Sequence, residues 1–350
     1  MSNAREVLAA PGRAAPAASH LHLTAQETGH LTGLLEELSG TVDNPTAEGF
    51  LADVPRLAWR LPRRLVDTLL DFRRHESSSA LVLHGLPVDD RVIGPTPLNW
   101  RAVPSPSATL RQELYLMLVA GLLGEVFGWS TLQDGRLIHD IVPMPTEENE
   151  QSGHGTVLLE WHTEDGFHPY RCDYLLLLGL RNHDKVPTTV AAVDAVDLSG
   201  QLRDILFQRR FLIRPDNEHL KRAADLVGGI QRRHLIQEMQ DAPEPCAVLF
   251  GHPERPYVRV DPTFMDAAPG DTEAREALDA LVHQLEAGLE NVALGPGELL
   301  IVDNYKAVHG RSAFTARFDG TDRWLKKAVV TRDLRKSRTL RAAPGERILL

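Results

Sequence analysis

The chain has 350 residues, 43% hydrophobic and 25% charged, with 48 acidic against 38 basic side chains and a formal net charge of −10. That composition supports a large buried core and excludes a mostly disordered chain. The negative balance, with no basic run carrying interleaved aromatics, argues against a nucleic-acid partner. Cys172 and Cys246 are too few for a disulfide framework and suit a reducing cytoplasm, and no apolar run reaches the roughly 18 residues of a membrane span.

The first twenty residues, rich in Ala and Pro, have no apolar stretch behind a basic start, so residues 1–20 read as a flexible tail and 21–350 as one domain. Helical spacing follows over Thr24–Leu38 behind a Thr cap, over Leu61–Arg73 with Pro62 in the first turn, and over Leu110–Phe127. Between the last two, Ala80–His84 reads as a short strand. Beyond residue 128 short apolar runs bounded by turn residues dominate: Arg136–Val142, Thr156–Trp161, Asp173–Leu180, Thr188–Val193, Arg210–Ile213, Cys246–Phe250, Tyr257–Val260, Glu298–Val302 and Trp324–Val330. Helical inserts are expected near Gly200–Gln208 and Thr272–Val292. Many short strands with few crossover helices predict a mainly β fold with flanking helices, a barrel or double-sheet jelly roll rather than a doubly wound parallel sheet. The polar segment Pro145–Gly155, just before a strand that carries ligand-type residues, reads as a lid.

Trp161-His162-Thr163-Glu164-Asp165 ends one of these strands, and alternation puts His162 and Glu164 on the same face. Far downstream a second strand leads through Asn304 to Val308-His309-Gly310-Arg311, and Arg323 follows fourteen residues after His309. Two imidazoles and one carboxylate are the ligand set of a non-haem Fe(II) facial triad, which leaves positions open for a bidentate 2-oxo acid and O2. A lone His-x-Glu pair is a weak signal in a chain with fifteen histidines, and the specificity lies in the set. Arg323, permanently charged and forked, suits the distal carboxylate of the 2-oxo acid, with Arg311 and Arg332 as other candidates for that anchor.

This set resembles the clavaminate synthase-like Fe(II)/2-oxoglutarate oxygenases, and among them the arginine, asparagine and enduracididine hydroxylases of peptide-antibiotic biosynthesis. The matching stretches span nearly the whole chain and include Leu61–Arg64, Gly85–Asp90, Phe127–Gly135, Trp161–Arg171, Phe211–Asp216, Asp303–Arg311 and Asp319–Asp333. The resemblance implies a double-stranded β-helix core, iron held by His162, Glu164 and His309, and 2-oxoglutarate held by Arg323 with Thr189. It further implies a free amino acid as substrate, its α-amino group met by Gln133 and Glu164 and its α-carboxylate by Lys327. Asp261 is expected at the far end of that substrate. Where the arginine enzyme has a second Asp, this chain has Thr263. One carboxylate and one hydroxyl suit a head of lower charge demand, such as the ureido group of citrulline, and hydroxylation is expected at Cβ or Cγ. A lysine or cyclic-guanidine substrate is the runner-up. A zinc hydrolase, which has no use for Arg323, and a metal-free jelly-roll binding protein are the remote alternatives.

Overall fold

The Leu175–Leu178 run lacks the polar alternation of a half-exposed strand, so it demands cover on both faces. The computed structural model, which describes residues 17–103, 107–198, 200–225 and 230–349, supplies that cover. A large sheet joins β1 (Ala18–His22), β2 (Ala80–His84), β3 (Glu125–Trp129), β4 (His139–Ile141), β6 (Tyr174–Arg181), β13 (Leu299–Asp303), β15 (Trp324–Thr331) and β16 (Ile348–Leu349). Its order is β1-β2-β13-β6-β15-β3-β16, with β4 also on β15. A smaller sheet has the order β12-β7-β14-β5, from Glu290–Val292, Thr188–Ala192, Ala307–Arg311 and Leu159–His162. Two hairpins complete the strands: β8 (Phe211–Ile213) with β11 (Met265–Ala267), and β9 (Leu249–His252) with β10 (Arg255–Val258).

Period-two alternation sorts the large sheet into two cores. Leu176, Leu178, Leu299, Ile301, Ala328 and Val330 join the cluster formed with the helices Ala25–Ser39, Glu48–Leu57, Arg63–His75 and Leu110–Leu123. Their neighbours Leu175, Leu177, Leu300, Val302, Leu325 and Val329 belong to the second cluster, which includes Val190, Ala307 and Val308 of the smaller sheet and Leu278 and Leu281 of the helix Thr272–Ala287. Each such leucine contributes roughly 1.5–3 kcal/mol on burial.

Most expected strands form within a few residues of their sequence bounds, and the departures have physical causes. The helix from Leu110 stops at Leu123 instead of Phe127, because Glu125–Trp129 is drawn into the sheet beside Val329–Thr331. Gly124 makes that turn possible, since a Cβ there would lie 2.3 Å from the Thr331 carbonyl oxygen. Likewise Thr272–Ala287 ends early and Glu290–Val292 pairs with β7. The helices Glu48–Leu57, Asn217–Asp225 and Ile230–Asp241 were not expected from the sequence.

Of the anticipated N-terminal tail, residues 1–16 lie outside the described residues. Its boundary at residue 20 is corrected: Ala18–His22 forms a parallel edge strand on β2, with Ala17 and Ala18 buried. Ala–Ser–His–Leu–His is too short and mixed to announce a strand, and only the waiting edge of β2 makes it one. Cys172 and Cys246 are free and buried. Among the described residues no helix is long and apolar enough to cross a membrane.

Candidate active site

Antiparallel pairing of β14 with β5 sets His309 directly opposite His162, and the two ring centroids lie 4.7 Å apart. The His162 Nδ1–H donates to the Glu160 carbonyl at 2.8 Å, which leaves Nε2 free as a ligand. Glu164 follows on the turn beyond β5, and its Oε2 lies 3.2 Å from His309 Nε2. One atom from each of His162, Glu164 and His309 falls within 4.8 Å of the others. A pair of imidazole nitrogens and a carboxylate oxygen so gathered fit one divalent ion of the iron or zinc type.

The turn is held from several sides. Asn304, fully buried, accepts the Glu164 N–H at 2.7 Å and donates to the Glu164 and Cys172 carbonyls at 3.0 Å each. Thr163, on the opposite side from the ligands, bonds the Val260 main chain through both its N–H (2.9 Å) and its hydroxyl (3.1 Å). Asp165 is left-handed, with φ +50°, a conformation that costs a non-glycine residue about 1 kcal/mol or more. Its carboxylate accepts from Trp129 Nε1 at 2.6 Å and meets His219 Nε2 at 3.1 Å. Asn304→Ala is expected to weaken iron binding ~10–100-fold, as loss of a ligand-orienting partner does. An iron titration of the purified variant measures this, and unchanged affinity excludes the positioning role.

Burial alone raises the Glu164 carboxyl, yet the Lys327 ammonium and then the two imidazoles hold it well below the usual carboxylate range. Lys327 Nζ donates directly to Glu164 Oε1. Burial pushes the His309 imidazole down to about 4, so the neutral, ligating form prevails.

Arg323 lies in the same cavity, nearly buried, and its Nη2 donates to Thr188 Oγ1 at 3.2 Å. Its Nε has no hydrogen-bond partner, and burial, with Arg311 adding repulsion, lowers its pKa to about 9. A buried guanidinium with no carboxylate of its own calls for an anion. Arg311 donates to the Ser152 and Val157 carbonyls, while Arg332 is exposed and not part of the cavity wall. Thr189 is corrected to Thr188. Thr188, Val190 and His309 share the inward face, while Thr189 stands opposite Gly310 on the other face, and a one-residue step along a strand reverses every side chain.

Alternation does bring Arg323, Leu325 and Lys327 to one wall, and Asp261 and Thr263 also line the cavity. Gln133 is not among the residues that line the cavity. Its Nε2 donates to the Asp140 carbonyl at 2.9 Å and meets His154 Nε2 at 3.2 Å, and its Oε1 accepts from the Asp140 N–H. Asp216 and Glu218 also reach the cavity and were missed. The only sequence signal was the Phe211–Asp216 stretch, whose acid had no assigned role. Asp216 caps the helix Asn217–Asp225, accepting the Glu218 and His219 N–H groups at 2.9 and 3.0 Å. Gln151, Ser152 and Gly153 of the expected lid line the cavity, and the segment folds back so tightly that a Cβ on Gly155 would sit 1.8 Å from the Glu150 carbonyl.

Two imidazoles and a carboxylate at strand ends, with a buried unpaired guanidinium nearby, define a mononuclear metal oxygenase centre of the kind that takes a 2-oxo acid. Residues 119–329 match the taurine catabolism dioxygenase TauD, TfdA family, and the chain belongs to that family of Fe(II)/2-oxoglutarate dioxygenases. It is 41% identical to an enduracididine beta-hydroxylase of Streptomyces hygroscopicus over 338 residues, covering 94% of this chain and 99% of that protein. It is 38% identical to an L-ornithine/L-arginine 3-hydroxylase of Catenulispora acidiphila, again over 94% and 99% of the two chains. Among solved structures, the non-heme iron oxygenase OrfP with Fe, succinate and (3S)-hydroxy-L-Arg is 44% identical with a TM-score of 0.91, over 95% of this chain and all of that one. The zinc-hydrolase and metal-free alternatives fall with this membership.

Proposed function

We propose that the protein hydroxylates a free L-amino acid whose long side chain ends in a planar N–C–N head, citrulline or an arginine-like residue, at Cβ or Cγ. The two sheets form the double-stranded β-helix core that such an enzyme needs. The observation that carries the reading is one cavity lined both by the candidate triad and by the carboxyl groups of Asp216, Glu218 and Asp261. When bound at the triad, iron supplies the activation of O2 coupled to oxidation of 2-oxoglutarate to succinate and CO2. His162, Glu164 and His309 hold it, and Arg323 with Thr188 holds the distal carboxylate of 2-oxoglutarate. Lys327 receives the substrate α-carboxylate, and the carboxylate of Glu164 receives the α-amino group. The segment Pro145–Gly155 covers the amino acid and excludes water. The likeness to an enduracididine beta-hydroxylase, and two buried free thiols, support a role in peptide-antibiotic biosynthesis in a bacterial cytoplasm.

The cavity holds more acid than the single carboxylate counted from sequence, and part of it is already engaged. Asp261 spends Oδ1 on the Thr263 and Phe264 N–H groups, and burial raises its pKa. Burial likewise raises Glu218, and Asp216 lies close to His219, whose own pKa is raised, after opposing burial, by that carboxylate. A carboxylate already committed to the main chain pairs a guanidinium less fully than two free carboxylates would, and suits a neutral ureido head whose N–H groups donate to it. Citrulline is therefore expected to match or exceed arginine as substrate, with Thr263→Asp shifting preference toward arginine ~10-fold, since a half-paired buried guanidinium costs about 1–3 kcal/mol. Competition between the two amino acids, read by mass spectrometry for a gain of one oxygen, measures both. A wide preference of the wild type for arginine, unmoved by Thr263→Asp, defeats this assignment. A weak charge-transfer band on anaerobic addition of Fe(II) and 2-oxoglutarate tests the centre itself.

A further inference from the structure

Three histidines gather on a part of the molecule that shares no residue with the cavity. His20 and His22 alternate onto one face of the edge strand β1, and the parallel register places His22 beside His84 at the end of β2. The His22 and His84 ring centroids are 4.0 Å apart, those of His20 and His84 5.2 Å, and His20 Nδ1 lies 2.9 Å from His84 Nε2. Behind them His84 Nδ1 is 2.8 Å from Glu298 Oε1, and the other oxygen of Glu298 accepts the Gly295 N–H at 2.8 Å. A carboxylate that takes the Nδ1–H of an imidazole leaves Nε2 with its lone pair outward, the arrangement that orients metal-binding histidines. Here that lone pair faces the other two rings.

We infer that His20, His22 and His84 form a second metal site, for a transition ion such as Zn(II), which clamps the edge strand β1 to β2. Imidazole is the natural ligand for zinc, copper and nickel ions. One nitrogen from each ring already lies within 4.8 Å of the others. A tetrahedral ion with Zn–N bonds of about 2.05 Å holds its nitrogens about 3.3 Å apart, so modest rotation of the exposed His20 and His22 side chains closes the set. The ion would replace the His20–His84 side-chain hydrogen bond by coordination from both strands, with water as fourth ligand.

Equilibrium dialysis of the full chain against Zn(II), followed by elemental analysis, tests the site. The wild type is expected to hold two equivalents, one at the triad and one at the histidines, and His22→Ala or His20→Gln to lose one of them. Turnover with Fe(II) is expected to stay at the wild-type level in both variants. The zinc-dependent rise in the midpoint of thermal unfolding is expected to shrink with the lost equivalent. His309→Ala loses the other equivalent, which keeps the two sites distinguishable. An unchanged zinc count in both His22→Ala and His20→Gln overturns the proposal, as does a wild-type chain whose only bound equivalent is lost with His309→Ala.

Discussion

Replacing His162, Glu164 or His309 by Ala is expected to reduce substrate-dependent succinate formation to the level seen without enzyme. The three donors come from a strand end, the turn after it and the middle of a neighbouring strand, and two remaining protein ligands hold a divalent ion poorly. Glu164→Ala removes more than a ligand. It leaves the Lys327 ammonium, now bonded to Glu164 Oε1, without its carboxylate, and an unpaired buried charge costs about 3–5 kcal/mol of stability. That variant is therefore expected to lose thermal stability as well as activity, whereas His162→Ala is expected to lose activity alone. Succinate release, bound iron and the unfolding midpoint are measured on the same preparations. Near-wild-type turnover in any one of the three removes that residue from the ligand set.

Arg323→Ala is expected to raise the concentration of 2-oxoglutarate needed for half-maximal turnover ~10–100-fold, with a much smaller change in the amino-acid requirement. The estimate follows from a charge-assisted hydrogen bond worth about 1.5–3 kcal/mol, made by a guanidinium whose only side-chain partner is the Thr188 hydroxyl. Arg323→Lys is expected to recover little, because a point charge does not reproduce the two parallel bonds of the fork. Initial rates over a range of 2-oxoglutarate, at saturating amino acid, decide the matter. An unchanged cosubstrate dependence moves the anchor to Arg311, the neighbouring cavity arginine, since Arg332 is exposed and not part of the wall.

The candidate metal ligands were legible because they sit in local patterns. His162 and Glu164 are two apart at a strand end, and His309 lies on the short strand Ala307–Arg311 that follows the long apolar strand Leu299–Asp303. The threonine that meets Arg323 was legible only to within one residue. A Thr-Thr pair reads the same in either register, and the pairing of β7 with β14 selects Thr188. The bonds of Gln133 to the Asp140 main chain and His154 were not legible for a related reason, since they form only after the loop has closed on β4.

By itself the sequence determined the sheet-rich architecture, the donor set and the permanent charge of Arg323, because side-chain periodicity and chemistry are properties of short segments. Tertiary structure alone decided that Ala18–His22 becomes a strand, that Asn304 clamps Glu164 from 140 residues away, and that Asp216 and Glu218 join Asp261 in one cavity. Each of these depends on which strands lie side by side and in what register. That choice is set by burial of the whole leucine-rich sheet on both faces, and no local pattern records it.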